Sequence, residues 1–336
     1  MVKIQKITIY DIAQRAGASA STVSSALDGS WKKRRISKKT AERIQEIAVQ
    51  MDFTINRQAQ GLRKAKSGLV GMILPEHNNR FFSDLSQSFA GEVRQRGNCP
   101  AIISTRRNEE EELEVVSNFI SYAIDALFIV GATNPIALSK LCKSAELPHV
   151  FVDQPCELAP SIVTDNYFGA AELTNHLISF SPKSNQELSN QVYFLGGDAT
   201  LPASSRRIDG FVDTLNNAGI GFTQSHINAC GYDRDRAGKE LNKLYAQRGG
   251  LPSILLINSI DCFEGALKFF SQLPEEEVTK CTIGCFDYDP FGILLRFPVH
   301  MIRQRANKLV KEAYDCIENN SGEPILKLIK PELIIP

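Results

Sequence analysis

The sequence has one tryptophan and four methionines in 336 residues, and no net charge, with 38 basic against 38 acidic side chains. It has no apolar run long enough to cross a bilayer; the most hydrophobic stretches, such as 126–132, are far too short. The first residues, Met1-Val2-Lys3-Ile4-Gln5-Lys6, lead into no apolar signal-like segment. The expectation is a cytoplasmic protein that makes no membrane contact. No CxxC pair occurs among the cysteines at 99, 142, 156, 230, 262, 281, 285 and 316. Scattered thiols of this kind predict reduced, buried side chains rather than a zinc site or a disulfide framework. GxSxG, P-loop, HExxH and GxGxxG patterns are missing, and the five histidines do not cluster. No catalytic residue, metal or cofactor is therefore expected, and the chain reads as a binding protein rather than an enzyme.

What is present is unevenly distributed. Residues 1–66 hold 14 Lys+Arg and 5 Asp+Glu, a balance of 14 − 5 = +9; the remaining 24 basic and 33 acidic residues give −9. A basic arm on an acidic body suggests a nucleic-acid contact joined to a unit with another task. With 43% hydrophobic and 23% charged residues, the body is large enough to bury a core without staples.

The basic arm divides into short helical patterns. Thr8 stands three residues before Asp11, and Ile9, Ile12, Ala13 and Ala16 follow at helical spacing until Gly17. Ser19 or Ser21 caps a second helix with Val23, Ala26 and Leu27 on its apolar face. Ser37 opens a third, carrying Thr40, Ala41, Ile44, Ile47, Ala48 and Met51. Helix, glycine turn, and a second helix that begins with small hydroxyl residues make a helix-turn-helix. Small side chains there let the second helix approach bases in the major groove, while Lys32–Arg35 and Lys38-Lys39 supply salt-dependent phosphate affinity. Charge alone would fit a merely solvated helical face; charge together with this pattern and a trailing basic linker favours DNA.

From residue 69 onward, short apolar runs alternate with amphipathic stretches. Strands are predicted at 69–74, 101–104, 126–130, 149–152, 192–195, 254–257, 282–285 and 300–302, with helices such as 82–96 and 109–122 between them. That alternation predicts doubly wound parallel sheets, and the polar gap 181–190 splits them into two lobes with a ligand cleft between.

Residues 8–66 resemble the headpiece of the lactose-repressor (LacI/GalR) family of transcription regulators. The resemblance lies in Thr8-x-Tyr10-Asp11-Ile12-Ala13-x-x-Ala16-Gly17-x-Ser19-x-x-Thr22-Val23-Ser24, Ile36-Ser37-x-x-Thr40 and Asn56-x-x-Ala59-x-x-Leu62. It continues through the body at Gly71, Gly169, Gly210-Phe211, Gly265-Ala266 and Phe286-Asp287. The stretch ending in Arg35, Gly61-Leu62-Arg63 and Phe297-Pro298-Val299 resemble the fructose- and sucrose-repressor branch.

The resemblance implies a helical headpiece at 1–54, a hinge at 55–68, and an effector and dimerisation domain at 69–336. The lobes are expected at 69–166 plus 297–322 and at 167–296 plus 323–336. It implies a homodimer on a palindromic operator. Ala20, Ser21 and Ser25 would read bases; Thr8, Tyr10, Thr22, Ser24, Arg35, Thr40 and Asn56 would meet the backbone. Leu62, following Ala59 on a hinge helix, would wedge the minor groove. Where many members carry an arginine, this chain has Ser25. For the effector, the resemblance implies Asn79, Arg80, Phe82, Asp153, Arg207, Tyr232, Ser259 and Asp287. Gln154 stands where the fructose repressor has arginine. The effector is thus expected to be a neutral ketose or ketoside, such as fructose or sucrose. A fructose phosphate is the alternative, and a purine-type corepressor a further one. The proline-interrupted stretch 326–336 lacks a leucine heptad, which predicts a dimer rather than a tetramer.

Overall fold

The computed structural model describes residues 7–53, 66–319 and 322–336. It divides into two compact units, residues 1–67 and 68–336.

In the smaller unit three helices, Ile9–Ala16, Ala20–Leu27 and Lys38–Gln50, enclose a core of eight buried residues: Ile12, Ala13, Ala16, Val23, Ala26, Ala41, Ile44 and Ala48. Their ends form where the sequence supplies caps. The backbone N–H and hydroxyl of Thr8 both donate to Asp11 Oδ2 at 2.7 Å. Gly17 adopts the left-handed conformation (φ 58°) that closes the first helix. Ser19 and Ser37 accept from the Thr22 and Thr40 amides at 3.1 Å. Arg43 adds a hydrogen bond to the Ala16 carbonyl.

The larger unit contains two six-stranded sheets. The N-lobe strands are β1 (Leu69–Leu74), β2 (Cys99–Ser104), β3 (Ala126–Val130), β4 (His149–Val152), β5 (Ser161–Thr164) and β11 (Leu326–Ile329), in the order β11-β5-β4-β3-β1-β2. The C-lobe strands are β6 (Val192–Leu195), β7 (Ile227–Asn228), β8 (Ile254–Ile257), β9 (Thr282–Phe286), β10 (Val299–Arg303) and β12 (Glu332–Ile334), in the order β12-β10-β9-β8-β6-β7. Helices cover both faces, as buried parallel strands require. The two orders correspond strand for strand. One pairing differs: β11 runs parallel to β5, whereas β12 runs antiparallel to β10.

The chain passes between lobes three times: after β5, after β10 and after β11. This corrects the expected lobe boundaries. β10 pairs with β9, so 299–303 belongs to the C-lobe; β11 pairs with β5, so 326–329 returns to the N-lobe. Strand β5, short and carrying only two aliphatic residues, is absent from the sequence-based assignment. Strands β7, β11 and β12 are absent from it as well. The polar gap at 181–190 holds a four-residue helix, Asn185–Leu188. Cys99 is exposed, against the expectation of burial, because it opens β2 at the sheet edge; the other seven cysteines are buried.

One buried group makes stability depend on pH. His300, on β10, is fully buried with Nε2 unpartnered; its Nδ1 lies 3.0 Å from His176 Nε2, and the Phe180 ring packs against it. Burial, reinforced by His176, holds its pKa at about 4. The unfolded chain gains a proton near pH 6.5 that the native state refuses, so this group's contribution falls as pH drops from 6.5 toward 4. The expected loss is about 2–3 kcal/mol at pH 4. Thermal melts at pH 4.5 and 7 should show a smaller difference for His300→Leu than for the native chain.

Candidate effector cleft and DNA-binding surface

In the helical unit, Tyr10 projects with 71% of its surface exposed. Thr8, Ser21 and Arg35 are exposed; Ala20, Thr22, Ser24 and Thr40 are partly exposed. The Ser21 and Thr22 hydroxyls both reach Ser19 Oγ, at 2.9 and 2.8 Å. Two helix N-termini therefore carry hydroxyl clusters on an accessible surface, a setting suited to phosphate oxygens. Arg35 takes the left-handed conformation (φ 56°) just after the basic 3-10 turn Ser30–Lys32. Ser25 does not fit its expected role. It is 4% exposed, on the inner side of its helix with Val23 and Ala26, and offers no edge to a base. Asn56, Ala59 and Leu62 lie outside the described residues.

In the larger unit a cleft opens between the lobes. Two aspartates stand at equivalent places in its two walls. Asp153 follows β4 and Asp287 follows β9, and both are left-handed, with φ of 71° and 86°. Such backbone is uncommon outside glycine, though aspartate is among the residues that tolerate it. It turns each side chain from its strand end into the cleft.

Arg207 faces them from the helix Pro202–Asn217. Gly210 brings that helix onto Asn166–Phe180: a Cβ there would stand 2.4 Å from the Tyr167 carbonyl oxygen. The close approach puts Arg207 Nε 2.8 Å from Asn166 Oδ1, while Nη1 donates to the Asn258 carbonyl at 2.6 Å. The guanidinium lies 3.7 Å from the centre of the Phe286 ring. Arg207 is 3% exposed, and this combination holds its charge in place with no carboxylate in salt-bridge contact among the described residues.

Asp287 accepts from Gln304 Nε2 at 2.6 Å and from the Ile260 amide at 3.3 Å. Burial raises its pKa to about 6, against the opposing pull of Arg207 and the Gln304 hydrogen bond. Asp153 is also raised by burial. A hydroxyl donated to Asp287 favours its ionised form. Effector affinity should therefore rise with pH through about 6 and level off above 7. Calorimetry at pH 5 and 7.5 checks this, and Asp287→Asn should flatten the profile.

The other expected residues divide. Asn79, Phe82, Tyr232 and Ser259 line the cleft. Tyr232 shares a 2.7 Å hydroxyl contact with Ser204, and Ser259 caps the helix Ile260–Phe270. Arg80 does not line it. On the first turn of the helix Arg80–Gln95, its side chain points to solvent and pairs with Asp84 one turn on at 3.2 Å. Sequence reasoning missed Gln304, Glu76, Arg107 and Asp261, all of which line the cleft. Gln304 lies where the chain leaves β10, and its Oε1 accepts from Thr164 at 2.6 Å, where the chain leaves β5. One side chain thus links two connecting segments to Asp287. Its position just past a strand end was the available signal. Arg107 follows another left-handed residue, Arg106 (φ 56° and 49°), and donates to the Gly131 carbonyl at 3.2 Å. No cluster able to hold a metal occurs among the described residues, and none of their helices is long and apolar enough to cross a membrane.

A helix-turn-helix unit joined to a two-lobed binding unit with a polar interlobe cleft defines a ligand-responsive DNA-binding regulator. Residues 8–56 match bacterial regulatory proteins of the lacI family, and residues 67–261 match the periplasmic binding proteins and sugar binding domain of the LacI family. The chain belongs to the LacI family of transcriptional regulators. It is 44% identical over 202 residues to the ribitol operon repressor of Klebsiella aerogenes, covering 60% of this chain and 75% of that protein. It is 28% identical over 343 residues to the sucrose operon repressor of Klebsiella pneumoniae, covering 99% of both. The fold matches the lac repressor bound to ONPG in the repressed state (TM-score 0.81, 18% identity, 98% of each chain). It also matches the Cra regulator of Pseudomonas putida in complex with fructose 1-phosphate (TM-score 0.70, 20% identity, 80% of this chain and 98% of that one).

Proposed function

We propose that this chain is a repressor of an operon for sugar or sugar-alcohol use. It binds a palindromic operator in the cytoplasm as a homodimer and is released by a small neutral polyhydroxy effector. It acts by binding, without catalysis. The observation that carries this reading is the Asp153–Arg207–Asp287 group in a cleft crossed by the Thr164–Gln304–Asp287 chain of hydrogen bonds. Hydroxyls of a ligand satisfy the carboxylates and the guanidinium. The same ligand then acts on the segments where the lobes join. If operator and effector prefer different lobe arrangements, each weakens the other by linkage. The 44% identity to a ribitol operon repressor adds sugar alcohols to the ketoses expected from sequence. Exposed Tyr10, Thr8 and Arg35 would anchor the headpiece on the DNA backbone, and exposed Ser21 would face the bases.

The test is direct. Selection of bound fragments from a random DNA pool should yield a palindrome. Its affinity, followed by fluorescence anisotropy, should fall on addition of ribitol, fructose or sucrose. Operator affinity unchanged by every sugar and sugar alcohol tried would remove the effector class.

A further inference from the structure

A second polar group lining the cleft spans the lobes. Asn79, in the N-lobe, has its amide orientation fixed: Oδ1 accepts from the Phe81 N–H at 3.0 Å, so Nδ2 faces outward. That nitrogen donates to Asp261 Oδ2, in the C-lobe, at 2.5 Å. The other oxygen of Asp261 accepts from Arg234 Nε and Nη2 at 3.1 and 2.8 Å. Both Asn79 and Asp261 are buried, at 6% and 5% exposure. Glu76 lines the same part of the cleft, and its carboxyl is pushed up by burial and by the charge of Asp261.

We propose that the Asn79–Asp261 pair takes a free hydroxyl of the effector by insertion, and that Asp261 with Glu76 rejects a phosphate at that position. The inference rests on the effector reading of the cleft given above and narrows it to compounds unesterified at this end. Its chemistry lies in donor and acceptor count. A hydroxyl accepts one hydrogen bond and donates one, so it fits between an amide N–H and a carboxylate oxygen and replaces the bond it breaks. An ionised phosphate only accepts. It would satisfy Asn79 but set its oxygens against Asp261 and Glu76 in a desolvated site, where like charges repel strongly. Among the described residues, the cations nearest this group already face carboxylates: Arg234 is held by Asp261 and by Glu264 at 2.9 Å, and Arg107, which donates to the Gly131 carbonyl, acts on Glu76 and Asp153. When the cleft is empty the pair acts as a clasp between lobes, so inserting a hydroxyl keeps the lobes joined rather than prising them apart.

Calorimetry on the full chain with ribitol, fructose, ribitol 5-phosphate and fructose 1-phosphate tests this. The native chain should bind its preferred neutral compound at least 100-fold more tightly than the matching phosphate ester. Asp261→Asn should narrow that ratio at least tenfold. Glu76→Gln, on the opposite lobe, should narrow it in the same direction and provides a second reading if Asp261→Asn fails to fold. A phosphate ester bound as tightly as its parent by the native chain, or a ratio unchanged in both variants, overturns the inference and leaves the effector reading standing. Binding of none of the four compounds counts against the effector reading and removes the inference with it.

Discussion

Replacing Arg207 by leucine is expected to lower effector affinity at least a hundredfold. The side chain is buried and engages Asn166, the Asn258 carbonyl and the Phe286 ring, so leucine removes the cation that acts on both Asp153 and Asp287. Two effects add. Charge-assisted hydrogen bonds to ligand hydroxyls disappear, and the two aspartates lose the opposing charge that favours their ionised forms. About 3 kcal/mol corresponds to the hundredfold loss. Arg207→Lys should recover little, because a single ammonium cannot reach Asn166 and the Asn258 carbonyl together or lie flat on Phe286. Calorimetry measures the loss, and circular dichroism melts report whether the lobe still folds. An affinity within fivefold of the native value would remove Arg207 from the effector contacts.

Ile44→Ala should abolish operator binding through the fold of the headpiece. Of the eight buried apolar core residues described in that unit only Ile12, Val23 and Ile44 are larger than alanine. Truncating a fully buried isoleucine costs about 2–5 kcal/mol. A core of this size supplies about 3–5 kcal/mol in total. The headpiece should therefore be largely unfolded at 37 °C, with operator affinity reduced to the non-specific level. The larger unit has its own cores and its own cleft, so effector affinity should stay within about twofold of native. Operator titration and calorimetry on the same preparation separate the two effects. Retained specific operator binding would show that the small core tolerates the cavity.

The elements most legible in the sequence were those whose signal is local. The Thr8–Asp11 cap, Gly17 and the Ser19 and Ser37 caps each lie within three or four residues of the helix they bound, and all formed as expected. Fully buried strands such as β3 and β8 stood out as unbroken apolar runs. What stayed hidden depends on partners far along the chain. β5 is recognisable only once β4 and β11 flank it. Ser25 has the size and polarity of a base-reading residue, yet helix phase turns it inward. Arg80 borders the cleft in sequence, and one turn of helix carries it to Asp84. Asp261 and Gln304 act through residues 182 and 140 positions away, separations at which no spacing rule operates. Asp153, Arg207 and Asp287 were accessible through family resemblance. Their equivalence as two strand ends of a repeated lobe emerged from the sheet orders.

The three passages between the lobes have a mechanical meaning. A single connection would let one lobe swivel freely on the other. Three, arising after β5, β10 and β11, with two of them cross-linked by Thr164 and Gln304, resist sliding and twisting and leave bending as the soft motion. Effectors that fit differently would then change how far the lobes travel along this path and how often they do so, but not its direction. Induction strength would become a graded property of the ligand, while the movement delivered to the rest of the molecule stays the same.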